Sequence, residues 1–197
     1  MKRHGWAVTA MWMAVSGGCL GGQERLTVLL YDSVGLMPGE VESAVDLSRR
    51  FFQSVGVETS WTVCRSLKSC AIPPEGTYVR VSVVGWTKGT VMGFANMEAS
   101  AGGNPQVYVF HARMSRLAAK TNNPLGRVMA CVMAHEILHS LGLEHAAFGI
   151  MRETFGENDL ASFGRGPAMP GNQVAQLRSG VARLQPAIVA TAQQEPR

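Results

Sequence analysis

Residues 135–145 read HEILHSLGLEH, and no other stretch restricts the fold of this chain as tightly. On a helix, positions four apart lie about 40° apart around the axis and ~6 Å along it, so His135 and His139 project from one face. That separation suits joint coordination of one ion at ligand distances of about 2.0–2.1 Å. Glu136 points about 100° away, beside such an ion rather than onto it. A base must stand there to take a proton from a water at the ion. Gly142 ends the helix with a residue that tolerates the left-handed conformation. The sharp turn it allows lets His145 approach from off the helix as a third ligand. Zinc held by three imidazoles keeps a fourth position for water, whose pKa it lowers from about 15.7 toward ~7. Three of the five histidines fall in this run and a fourth, His4, lies near the N-terminus. For a chain of this composition the pattern arises by chance with a probability on the order of 10⁻⁵. Two histidines on one face of a buried helix without a metal would also leave costly polar groups to satisfy.

The motif lies at the end of a long apolar segment. From Pro124 to Leu141 the only breaker is Gly126, and Val128, Val132, Met133, Ile137, Leu138 and Leu141 cover most of the circumference, which predicts a buried helix. Asn123 is expected as its N-cap, with Pro124 at the first helical position. Upstream, RLTVLLYDSV (25–34) is a continuous apolar run bounded by Gly35, as in a strand covered on both faces. After Pro38-Gly39 the residues Val41, Ala44, Val45, Phe52 and Val55 repeat at helical spacing, with acids in the first turn and Gly56 as the stop. VETSWTV (57–63) and YVRVSVV (78–84) alternate as half-buried strands; Val57, Thr59, Trp61 and Val63 share one face of the first, Val79, Val81 and Val83 one face of the second. VMGFANM (91–97), interrupted by Gly93, and QVYVF (106–110) complete a β-α-β-β-β-β order. The expected class is α+β: a twisted mixed five-stranded sheet with two long helices. Residues 146–171 read as irregular. Val174, Leu177, Val181 and Leu184 form a final helix, and residues 187–197 a frayed tail. No repeat or linker divides the chain.

The 46% hydrophobic and 16% charged content supports a real core and excludes disorder. The formal charge of +4 includes Lys2 and Arg3; without them it is +4 − 2 = +2, and no basic run exists to serve nucleic acid. Lys2, Arg3 and His4 followed by the apolar WAVTAMWMAV and the small residues of SGGCLGG predict a signal peptide over 1–22. The apolar run is too short to leave a transmembrane helix in the mature chain. Two fates of this segment stand: simple cleavage near Gly18 to Gly22, or lipid anchoring through Cys19, against which Ser16 departs from the usual aliphatic residue. Export to the periplasm, cell envelope or exterior fits a disulfide between Cys64 and Cys70 in CRSLKSC, with two separate thiols as the alternative. Cys131 then lacks a partner and is expected as a buried free thiol. His111, at a strand end, is expected to be structural.

HEILHSLGLEH resembles in full the zinc signature of the metzincin endopeptidases, a zincin-like family, and GIM at 149–151 resembles their Met-turn. The resemblance implies His135, His139 and His145 as ligands of one catalytic Zn2+, Glu136 as general base and acid, and Met151 as the Met-turn residue. It implies a catalytic domain over 25–186, with an N-terminal subdomain 25–142 and a small C-terminal subdomain 143–186 closed by the final helix. VMGFANM is similar to the edge strand on which metzincins pair an extended substrate; Gly93 and Ala95, flanking Phe94, would admit a peptide closely. Residues 153–170 would wall the pocket beyond the scissile bond. The matrixin branch is nearest. Arg152 and Glu153 follow Met151, so the tyrosine that astacins and serralysins carry there is missing, and Ala146 stands where branches often place Ser, Asp or Glu. The implied activity is that of an exported zinc endopeptidase acting on protein or peptide substrates. A monomer is expected, either active without removal of a prodomain or held in check by a separate inhibitor. A catalytically silent zinc-binding or interaction module on the same scaffold is the alternative. Glu136 speaks against it, since a structural site has no use for a base and closes all four positions.

Overall fold

The computed structural model describes residues 24–65, 70, 77–86, 89–96, 104–165 and 169–184. The expected signal segment with Cys19, and the tail at 187–197, lie outside them. Five strands form one sheet: β1 (Glu24–Asp32), β2 (Val57–Cys64), β3 (Tyr78–Val84), β4 (Gly93–Asn96) and β5 (Gln106–Phe110). Their order is β2-β1-β3-β5-β4. All neighbours are parallel except β4, which runs antiparallel to β5. Parallel pairing of β1 and β2 needs a crossover, supplied by α1 (Pro38–Ser54). Pro38 opens that helix with a φ already suited to it, and Gly56, at φ 81°, turns the chain out of it.

One face of the sheet is a row of branched side chains. Leu26, Val28 and Leu30 of β1, Val79, Val81 and Val83 of β3, and Val107 and Val109 of β5 are buried in the main core. Burial of each contributes roughly 1.5–3 kcal/mol. Both long helices, α1 and α3 (Leu125–Ser140), pack on this core and against each other. Every residue from Val128 to Leu138 is buried, as an all-round apolar helix requires. On the other face Leu29, Tyr31 and Cys64 form a small second cluster with Cys70 and Tyr78. β1 is thus covered on both faces.

Several details depart from the sequence reading. An unexpected helix, α2 (His111–Thr121), begins directly where β5 ends, so His111 starts a helix rather than ending a strand. Asn123 is not the N-cap of α3: Pro124 holds that position, and the Asn123 side chain donates back to the Thr121 carbonyl. Asn122, in the left-handed region, terminates α2 instead. Gly93 begins β4 instead of interrupting it. Val63, expected on the buried face of β2, is exposed, because it lies at the mouth of an open groove with Leu36, Pro38 and Val41. The irregular stretch 146–171 contains a short helix, α4 (Glu157–Ser162).

The last helix, α5 (Gly171–Leu184), closes over the end of α3. Arg183 donates to the Leu141 carbonyl and Gln176 to that of Gly142, satisfying acceptors that a helix C-terminus leaves open. Arg178 reaches the Val55 carbonyl at the end of α1. Among the described residues no helix is long and apolar enough to cross a membrane.

Candidate metal centre and cleft

The last turns of α3 present His135 and Glu136, both buried, and the half-buried His139. Leu141 caps the helix, and Gly142 follows at φ 92°, a conformation that side chains rarely adopt. The chain reverses there and returns with the exposed His145. The three rings converge: centroids lie 4.5 Å apart for His135 and His139, 4.6 Å for His139 and His145, and 5.3 Å for His135 and His145. One nitrogen from each falls within 4.8 Å of the others.

The hydrogen bonds of two of these imidazoles determine their protonation. His135 Nδ1 is 2.7 Å from the Ile150 carbonyl oxygen, and His139 Nδ1 is 2.7 Å from that of Leu143. A carbonyl only accepts, so each Nδ1 must carry the proton. In the neutral rings both Nε2 atoms are then bare acceptors, and they lie 2.9 Å apart. Two lone pairs at that distance repel unless something positive lies between them. Backbone carbonyls on the far ring nitrogens are the usual means of orienting metal-ligating histidines. Electrostatics act in the same sense. Burial lowers the His135 pKa to about 4, against the raising effect of the Ile150 carbonyl and with a further lowering by His139 and His145. Burial also lowers that of His139, opposed by the Leu143 carbonyl and reinforced by His145. The His135 and His139 rings are therefore neutral at pH 7, the form in which an imidazole can hold a metal. A nitrogen-only donor set of three, open on one side, fits a borderline divalent cation.

Beside the trio, burial pushes the Glu136 carboxyl up to about 7. Glu136 and the three histidines line a cleft of about 630 Å³. One wall is β4 with the residues before it, including Gly93, Phe94 and Ala95; the other is the segment Glu153 to Phe155. β4 pairs only with β5, leaving its outer edge without a strand partner among the described residues. Phe94 stacks on Tyr108 at 4.8 Å. Phe155 stands edge-on to His135 at 5.3 Å.

The turn below the third histidine is tight. The Ala146 amide donates to the Met151 carbonyl at 2.7 Å and that of Arg152 to the Gly149 carbonyl, with Gly149 at φ 76°. Met151 is wholly buried. Sequence reasoning missed Phe155 and the pair that holds its loop, Arg152 and Asp159, 3.0 Å apart. Asp159 also accepts from the Gly156 amide; an acid three residues after Gly156 was a helix-start signal that could have revealed it. Away from the cleft, Cys64 and Cys70 form a disulfide at the opposite edge of the sheet, and Cys131 is a buried free thiol. His111 contacts Ser115 and takes no part in the cluster.

No protein-family model matches the chain, and no curated protein matches it. Solved structures do. Archaemetzincin from Methanopyrus kandleri superposes with a TM-score of 0.52 at 16% identity, over 83% of this chain and 99% of that one. Metalloproteinase-II from Bacteroides fragilis superposes with a TM-score of 0.51 at 12% identity, over 80% of this chain and 53% of that one, so the match spans about half of the latter. At these identities the likeness concerns the fold, which is a metzincin-like α+β fold with a clustered histidine triad in its cleft.

Proposed function

We propose that this chain is a zinc-dependent metalloendopeptidase. The observation that carries the reading is the pair of Nε2 atoms on neutral, carbonyl-anchored imidazoles, with a third imidazole within reach and a buried carboxyl in the same cleft. His135, His139 and His145 would hold the zinc, which supplies a Lewis acid for the scissile carbonyl and for water. Glu136 takes the proton from the attacking water and passes it to the leaving amine. Its raised pKa suits a group that must both accept and release a proton near neutral pH. The free edge at Gly93, Phe94 and Ala95 receives the extended substrate backbone by strand addition. Met151 supports the centre from the turn after His145. Residues 25–142 and 143–186 act as the two walls of the catalytic domain, in a monomer exported through its first 22 residues, with cleavage or a lipid at Cys19 as the two outcomes. By its motif the chain would fall in the matrixin branch.

Cleavage of casein and of a mixed peptide library, with and without chelator, tests this. We expect internal cleavage that chelator abolishes and zinc restores. Glu136→Gln should keep zinc and lose ~10²–10⁴-fold in kcat. Zinc bound without any cleavage would instead make the chain a silent binding module, and full turnover by metal-loaded Glu136→Gln would remove the base from its role.

A further inference from the structure

Gly93, the first residue of β4, is buried opposite Val109 of β5. Its φ is not in the left-handed region, so its backbone does not demand glycine. Space does. A Cβ built at this position would lie 2.7 Å from the Tyr108 carbonyl oxygen, 2.8 Å from Glu136 Cγ and 2.9 Å from Glu136 Oε1. The volume that any other residue would fill is occupied by the Glu136 side chain. Among the described residues the Glu136 carboxylate has no hydrogen-bond or ion-pair partner, so no polar contact there aims it. Its Cα is fixed by a buried helix, and on the β4 side its Cγ and Oε1 take up the space that a side chain at Gly93 would fill.

We propose that Gly93 is a positioning residue for Glu136: the missing side chain forms the slot that holds the carboxylate beside the histidine trio. The proposal rests on the peptidase reading for its catalytic consequence but not for its geometry. Displacing a reacting group by about 1 Å costs on the order of 10²-fold in rate. Gly93→Ala should therefore lower kcat by ~10²-fold, with KM little changed and one zinc per chain retained. A glycine kept only for close approach of the peptide would give the reverse, a raised KM with kcat preserved.

The Tyr108 carbonyl is a second obstacle to a Cβ, so Gly93→Ala will also reduce stability for a reason unrelated to Glu136. A thermal-denaturation cycle on zinc-loaded protein separates the two. Gly93→Ala is introduced into Glu136→Gln, which keeps the bulk of the side chain, and into Glu136→Ala, which removes it beyond Cβ. The expected result is a clearly smaller fall in Tm in the Glu136→Ala background. Equal falls, or loss of folding in both, would overturn the proposal, since the Tyr108 carbonyl would then account for the glycine alone. This cycle needs no turnover. If the wild type cleaves nothing, the peptidase reading fails while the cycle still decides the slot.

Discussion

Removing one donor from the histidine trio should separate metal binding from folding, because the three residues differ in burial. His135 is buried within α3, whereas His145 is exposed on the segment that follows Gly142. His145→Ala therefore deletes a donor while leaving no cavity. With zinc at 100 times its dissociation constant, binding to the native state alone adds RT ln(1 + 100), about 2.7 kcal/mol, to stability. For a domain of 150–250 residues, 1 kcal/mol corresponds to about 2–4 °C in Tm, so saturation should raise Tm by roughly 5–11 °C. The two facing Nε2 atoms, 2.9 Å apart, favour this gain, since the ion relieves a repulsion present in the metal-free state. Scanning calorimetry on chelated and zinc-loaded protein reads it directly. Wild type should show the rise; His145→Ala should match the chelated wild type and respond much less to zinc. A wild-type Tm indifferent to chelator and zinc, or an undiminished response in the variant, would refute the convergent-ligand argument.

Three further outcomes follow from the packing. Met151→Ala empties a wholly buried site and should cost about 2–5 kcal/mol in denaturant unfolding; a loss under ~1 kcal/mol would mean the turn tolerates its absence. Removing the Arg183 and Gln176 side chains together uncaps the Leu141 and Gly142 carbonyls and should cost about 1–2 kcal/mol and weaken zinc binding measured by competition with a chelating dye. Cys131 should resist alkylation in the native protein at pH 8, since burial, with a further contribution from Asp159, pushes its thiol well up; rapid labelling without unfolding would contradict that burial.

The parts of the fold legible in the sequence are those where one signal dominates. The run from Val128 to Leu138 admits only a buried helix, and the valine alternation of β3 only a half-buried strand. α2 was hidden because HARMSRLAAKT offers a sparse apolar face: Met114, Ala118 and Thr121 are its buried residues, only one of them large. The helix also starts without a side-chain cap, directly off a strand. Asn-Asn-Pro points to a helix start one residue away from the observed one. Both asparagines are good helix-boundary residues, and only the left-handed Asn122 reveals that the first of them ends one helix rather than beginning the next. At the site, spacing on one helix could place His135, Glu136 and His139, since i and i+4 share a face. It could not place Phe155, whose approach to His135 depends on a loop tied by Arg152 and Asp159 across seven residues. The role of Gly93 was equally out of reach, because the glutamate filling its space comes from a helix that begins more than thirty residues later.

The grip of α5 on the end of α3 has a bearing on the order in which the molecule matures. All three imidazoles leave the ribosome before Gln176 and Arg183 do, so a nascent chain carries its candidate metal donors before it carries the residues that secure the helix end between them. If the trio binds zinc as proposed, stable loading is a late event that awaits the last helix. Metal uptake by chains stalled before residue 171, compared with chains extended past residue 184, would time it.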